Sequence, residues 1–219
     1  MIKSIATAVA AALMITVPAH AAVFTFDVTV VNVTNLSSSE SQAEMADYNA
    51  AFLDASAQSD TFVYQGELDF RTSDGTDATT IGDWLATGGG TVTGLDGTVA
   101  DLQLSKPNIN NGTATTTFFF FELQGTAAAG DVAVTHDDGF AIFEDDAFLG
   151  GVLGPVSETF TLVQNYNGGE FDLLYVATNG DPSILEVDLS PVPVPAALPL
   201  FVGGMSLFGI ASRRRRKAA

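Results

Sequence analysis

The sequence predicts a mainly β protein. It reads as a single β-sandwich of jelly-roll type with one inserted helix near residues 42–57, an N-terminal signal helix and a C-terminal transmembrane helix. Three observations predict this. The composition favours strands and turns, with 16 Phe and 21 Gly in 219 residues. Apolar and polar residues alternate over several short runs, the period of a half-buried strand. The two ends break that pattern with uncharged apolar runs. Between them lies a body, residues 22–190, that is one domain by length and long enough to bury a core.

Residues 1–21 read as a secretory signal peptide. Lys3 precedes an apolar stretch over 5–17, Pro18 breaks it, and Ala19 and Ala21 flank His20 in a small-x-small cleavage pattern. The cut is placed after Ala21. The apolar part is too short for a spanning anchor. The partner this implies is the secretion translocase.

Residues 23–33 alternate as a strand, with Phe24, Phe26, Val28 and Val30 on one face. Over 37–60 the alternation stops. Ser41 and Glu44 have capping-box spacing, and Met45, Tyr48, Phe52 and Leu53 mark one face of a helix of about four turns. Residues 61–70 return to strand, and 71–80 form a loop. Trp84 and Leu85 precede Gly88-Gly89-Gly90, a flexible connection with no phosphate-loop signature. Residues 91–104 give one or two strands around Asp96-Gly97, a hairpin signal. Phe118, Phe119, Phe120 and Phe121 point to both faces of one strand, so both faces need cover. That places them in a central strand of a layered fold.

Residues 130–134 and 140–143 read as strands on either side of an Asp137-Asp138-Gly139 kink. Glu144-Asp145-Asp146 turns the chain, and 150–155 is loop. Residues 159–163, 171–177 and 184–189 are three further strands, with turns at 165–169 and 179–182. These pieces resemble the last part of PA14-like domains, β-sandwiches found in toxins, glycosidases and adhesins. The matching residues are Asp137-Asp138-Gly139 before Phe140-Ala141-Ile142-Phe143, the turn Tyr166-Asn167-Gly168-Gly169, and a final strand with Leu185, Val187 and Leu189. The chain departs from the family at Asp145-Asp146-Ala147, where an Asp-Gly hairpin is expected.

In the adhesin branch, two adjacent aspartates hold a calcium ion that binds sugar hydroxyls. Carried over, the resemblance implies Asp137 and Asp138 as metal ligands. Calcium wants six to eight oxygens, and Asp137, Asp138, Glu144, Asp145 and Asp146 offer carboxylates within one short stretch. The other reading is a turn with a left-handed glycine and solvated aspartates. Calcium is the one cofactor the sequence raises.

Charge and residue usage narrow the function. Six of the 8 Lys and Arg lie in the two ends, which leaves Arg71 and Lys106 against 26 acidic residues, a net of about −24 for the body. Such a surface repels nucleic acid and suits divalent cations or solubility in salt. Cysteine is absent, so there is no disulfide framework and no thiol chemistry. Past the signal the one histidine is His136. It sits beside Asp137, but no Gly-x-Ser-x-Gly elbow accompanies it. The expectation is a protein that is not an enzyme.

Residues 191–219 form three parts. Pro191, Pro193 and Pro195 make an extended approach, 196–211 is an uncharged run of 16 residues, and Arg213, Arg214, Arg215, Arg216 and Lys217 follow. As a helix the run spans roughly 24 Å, and an apolar span with a basic end sits across a membrane with its charges inside. This tail resembles the exosortase-type sorting signals of Gram-negative bacteria. The matching residues are Val192, Pro193, Val194, Pro195 and Ala196, with Val194 where the family motif has Leu. The resemblance implies an exosortase-like membrane protease as a partner and a transient membrane anchor. The sequence thus points to an exported surface or extracellular-matrix protein associated with exopolysaccharide. It would be held first at the inner membrane and then released to the surface or medium. The alternative is a calcium-dependent carbohydrate-binding adhesin using Asp137 and Asp138.

Overall fold

The computed structural model describes residues 23–34, 36–37, 40–72, 79–107 and 114–190. The signal segment with Ala19 and Ala21, the sorting motif at 192–196, the apolar run and the basic cluster at 213–217 lie outside the described residues. Among the described residues no helix is long and apolar enough to cross a membrane.

The strands are β1 (Thr25–Thr34), β2 (Gln58–Gln65), β3 (Leu68–Arg71), β4 (Thr91–Thr93), β5 (Thr115–Leu123), β6 (Gly130–Asp137), β7 (Phe140–Glu144), β8 (Ala147–Val152), β9 (Thr159–Tyr166), β10 (Phe171–Ala177) and β11 (Ile184–Asp188). Among the described residues three short helices accompany them: α1 (Met45–Ala51), α2 (Ile81–Thr87) and α3 (Gly97–Ala100). A seven-stranded sheet runs β4-β2-β1-β5-β10-β7-β8, and a four-stranded sheet runs β3-β11-β6-β9. The sheets face each other across one apolar layer, and the protein is the two-sheet sandwich that the alternation predicts.

The Phe run lies on β5, paired with β1 on one side and β10 on the other. Phe119 and Phe121 enter the layer between the sheets. Phe118 belongs to a second cluster on the outer face, which α1 covers with Tyr48 and Ala51. Both faces are therefore covered, as the sequence requires. Seven strands facing four leave part of the inner face bare. Ile81, Trp84 and Leu85 of α2 and Val99 of α3 fill it. The Trp84 ring lies 4.5 Å from Phe70, 4.7 Å from Phe119 and 5.4 Å from Tyr175, centroid to centroid. Every residue of both clusters falls between Phe24 and Leu189. Among the described residues, the segment 23–190 thus carries both apolar clusters.

Several local expectations are corrected. The 61–70 strand is two strands, β2 and β3, in different sheets. They part at Gly66, where a Cβ would lie 2.8 Å from both Gly90 Cα and the Tyr64 hydroxyl. The helix at 42–57 is shorter, because Asp54 accepts from the Ser56 N–H and hydroxyl and turns the chain away. Leu53 is left 88% exposed. No capping box forms: Glu44 occupies the N-cap without a side-chain bond, and the Ser41 hydroxyl donates to the Ser37 carbonyl. At Asp96-Gly97 there is no hairpin. The Asp96 carboxylate accepts from the Thr98 N–H at 2.7 Å and opens α3. The 150–155 loop begins later, since β8 runs to Val152. Helix α2 was not anticipated; Thr80 caps it by accepting from the Asp83 N–H at 3.1 Å.

Candidate ligand site at the sheet crossovers

The topology brings three crossings between the sheets to one end of the sandwich. β6 passes to β7 through Asp138 and Gly139. β8 passes to β9 through residues 153–158, and β10 passes to β11 through residues 178–183. Between them lies an open cavity of about 340 Å³, walled by Asp137, Asp138, Ser157, Thr178, Asn179 and Asp181 among others. Its polar side chains are carboxylates, hydroxyls and an amide.

The first crossing is tightly built. Asp137 ends β6 opposite Ile184, and Phe140 opens β7 opposite Tyr175. Asp138 takes the left-handed backbone, with φ of 73°. The turn reading placed that conformation on glycine. Gly139 serves a different need: a Cβ there would sit 2.3 Å from the Leu153 carbonyl oxygen. Aspartate is one of the residues that tolerate the left-handed region, which leaves the small residue for the close approach.

Asp138 is 2% exposed and Asp137 is 9% exposed, so these are not solvated turn aspartates. The Thr178 N–H donates to Asp138 Oδ2 at 2.7 Å, and the Asp138 N–H donates to the Val156 carbonyl at 2.9 Å. The Tyr175 hydroxyl donates to the Asp137 carbonyl at 2.9 Å. Burial pushes the Asp138 carboxyl up to about 8. The Thr178 N–H opposes that rise and the Asp137 charge adds to it. A carboxyl in this setting gains most from a cation or a hydroxyl donor placed beside it.

His136 holds the crossing from below. Its Nδ1 lies 2.8 Å from the Asp138 carbonyl and its Nε2 lies 2.9 Å from Thr161 Oγ1. A carbonyl only accepts, so Nδ1 carries the proton and Nε2 accepts from the threonine hydroxyl. Burial lowers the imidazole pKa, which agrees with a neutral ring. Both ring nitrogens are thus bound to structural partners.

The structure separates the five carboxylates that the sequence grouped. Glu144, Asp145 and Asp146 lie at the opposite end of β7 from Asp137 and Asp138. Asp145 and Asp146 form the β7–β8 turn with φ of 51° and 63°, both left-handed as a two-residue hairpin demands. Glu144 accepts from the N–H groups of Asn167 at 2.7 Å and Gly169 at 3.1 Å, which holds its carboxyl below the usual range. Asp145 accepts from the Glu170 N–H at 2.9 Å. These side chains pin the turn between β9 and β10.

The oxygen donor set fits a hard cation such as calcium better than a transition metal. Among the described residues no group of three or more His, Cys, Asp or Glu is placed to hold a metal ion. A calcium ion here would take Asp137 and Asp138 as its carboxylates. It would complete its shell from carbonyls, the Asn179 amide, water and ligand hydroxyls. The wall formed by Thr178, Asn179 and Asp181 escaped the sequence reading. Its only signal was a turn, Asn179-Gly180, which says nothing about which crossing it faces.

No family model and no curated protein matches the chain. Among solved structures it is similar to a PA14 sugar-binding domain from an RTX adhesin, with TM-score 0.47 and 15% identity over 75% of this chain and 89% of that one. It is also similar to the PA14 domain of the antifreeze protein MpAFP, with TM-score 0.45 and 15% identity over 78% and 86%. A GH31 α-xylosidase from Xanthomonas citri aligns with TM-score 0.35 and 8% identity over 81% of this chain and 16% of the enzyme. The family of the first two is the one that residues 130–189 resemble.

Proposed function

We propose that the chain is an exported, non-enzymatic surface or extracellular-matrix protein that engages polysaccharide at the three-crossover cavity. The observation that carries this reading is the cavity itself. Its carboxylate, hydroxyl and amide walls match the hydrogen-bonding needs of a polyhydroxylated ligand. The net charge of about −24 over the body disfavours an anionic polymer, so the ligand is a neutral polysaccharide. The small-x-small end of 1–21 and the three-part order of 191–219 support the address. In this reading an exosortase-like protease acts near 192–196, the 196–211 run anchors the chain at the inner membrane first, and 22–190 is the functional domain.

The test is affinity electrophoresis of residues 23–190 in gels cast with exopolysaccharide from the producing culture. Retardation that disappears in Ser157→Trp is expected, because Ser157 is an exposed wall residue and an indole fills the cavity. Mobility unaffected by the polymer would sink the reading. The address has its own test: deleting 192–219 should change the distribution between membrane, surface and medium.

A second reading has one specific observation in its favour, the buried Asp137-Asp138 pair with its raised carboxyl. In it a calcium ion bridges the pair to sugar hydroxyls. Calcium at about 100 times its Kd adds about 2.7 kcal/mol to wild-type stability, and the rise should vanish in Asp138→Asn. Identical melts in calcium and in EDTA would remove the metal.

A further inference from the structure

A groove of about 500 Å³ opens where β1 begins and β11 ends, away from the three crossings. Phe24 and Leu189 are part of its apolar lining, and Glu67, Asp69 and Asp188 bring carboxylates to it. Glu186 borders it too, but is already held by Arg71 Nη2 at 2.6 Å. β6 and β9 contribute Ala133, Thr135 and Phe160, which carry no charge.

The basic residues of the body, Arg71 and Lys106, leave these carboxylates unmatched. Among the described residues the ion pairs join Arg71 to Glu158 and Glu186. Lys106 bridges to Thr115, which lies opposite Thr34 at the far end of β1 from the groove. Removal of residues 1–21 would create one further cation, the α-ammonium of Ala22. The chain just after it runs beside the groove. The Gly66 N–H donates to the Phe24 carbonyl at 3.0 Å, and Glu67 follows Gly66 directly. Val23 is 64% exposed and lies outside both apolar clusters.

We infer, given the cleavage after Ala21 on which the proposed export rests, that the new α-ammonium of Ala22 docks in this groove and pairs with Glu67 and Asp188. Two residues span at most about 7 Å, which keeps the ammonium close to Phe24 and Gly66. Charge complementarity selects this occupant. A terminal cation meets a rim of carboxylates on a body of about −24. Before cleavage the Ala22 nitrogen is a neutral amide, so the pair belongs to the mature chain alone. It ties the start of β1 to the end of β11, and so one sheet to the other, without blocking the crossover cavity.

Thermal melts of the full chain purified after export test this, with intact mass reading its first residue. A variant with Gly-Ser inserted between Ala21 and Ala22 keeps the small-x-small pattern and the net charge, but moves the ammonium by up to about 7 Å. At pH 6 the wild type should melt about 2 °C above this variant, the shift expected of a partly exposed ion pair. An ammonium that gains a partner stabilises fully below its ordinary range near about 8, and the effect is lost as pH rises through the folded value. The gap should therefore close by about pH 10. In the background Glu67→Gln with Asp188→Asn, the insertion should leave the melt unchanged at pH 6. Equal melts of wild type and insertion variant at pH 6, or a gap that survives the double substitution, overturn the inference while the cleavage stands. A mass showing a first residue other than Ala22 removes the cleavage reading and the docking with it.

Discussion

Asp172 and Asp138 are two carboxylates whose charge the fold opposes. Asp172 lies directly across from Glu122, which lies directly across from Asp27, so three carboxylates stand in one row on adjacent strands. Burial pushes the Asp172 carboxyl up to about 6, and Glu122, Asp146 and Glu170 raise it further. Asp138 is pushed up to about 8 by burial. For a raised carboxyl, the stabilisation is complete below its ordinary range near about pH 4 and is lost as pH rises through the folded value. In EDTA these two carboxyls should therefore lower the melting temperature as pH rises from about 4 to about 8, against His136, whose lowered pKa acts in the opposite direction as its ring becomes neutral. Asp172→Asn should remove its share of the fall below about pH 6, and Asp138→Asn its share across the whole window to about pH 8. Calorimetry across pH checks it, and variants whose profiles parallel the wild type would refute the assignment. The alternation of residues 23–33 showed that Asp27 points away from Phe26, but not that Glu122 and Asp172 stand beside it. That depends on strand order, which one sequence does not carry.

The elements differ in how far they could be read. β10 coincides with the run 171–177, because its residues are apolar without interruption and turn residues bound it on both sides. β5 was legible as a central strand because four Phe in a row leave no face for solvent. Helix α2 was not legible, since seven residues fall short of the window in which a helical period can be seen. Gly88-Gly89-Gly90 drew the eye to a flexible link instead. The cost of that miss is specific, because Trp84 of α2 is fully buried and fills the inner face that the smaller sheet leaves bare. Trp84→Ala should cost about 3–5 kcal/mol, seen as a lower urea midpoint. A loss under about 1 kcal/mol would mean that the helices are an ornament on the sandwich.

At the scale of the molecule, an uneven pair of sheets decides where chemistry can sit. Three crossings meet at one end and bury Asp138 where a solvated turn was one of two readings. At the opposite end of β7, Glu144 and its neighbours are spent on holding a turn. The sequence shows all five carboxylates but not that β7 separates them. The proposed function rests on polysaccharide binding at the three-crossover cavity. Backbone amide shifts of residues 23–190, followed by NMR as fragments of the exopolysaccharide are added, test it most directly. Changes confined to 137–139, 155–157 and 178–182 are expected. Changes centred instead on the outer face around Phe160, or none at saturating polymer, would contradict it.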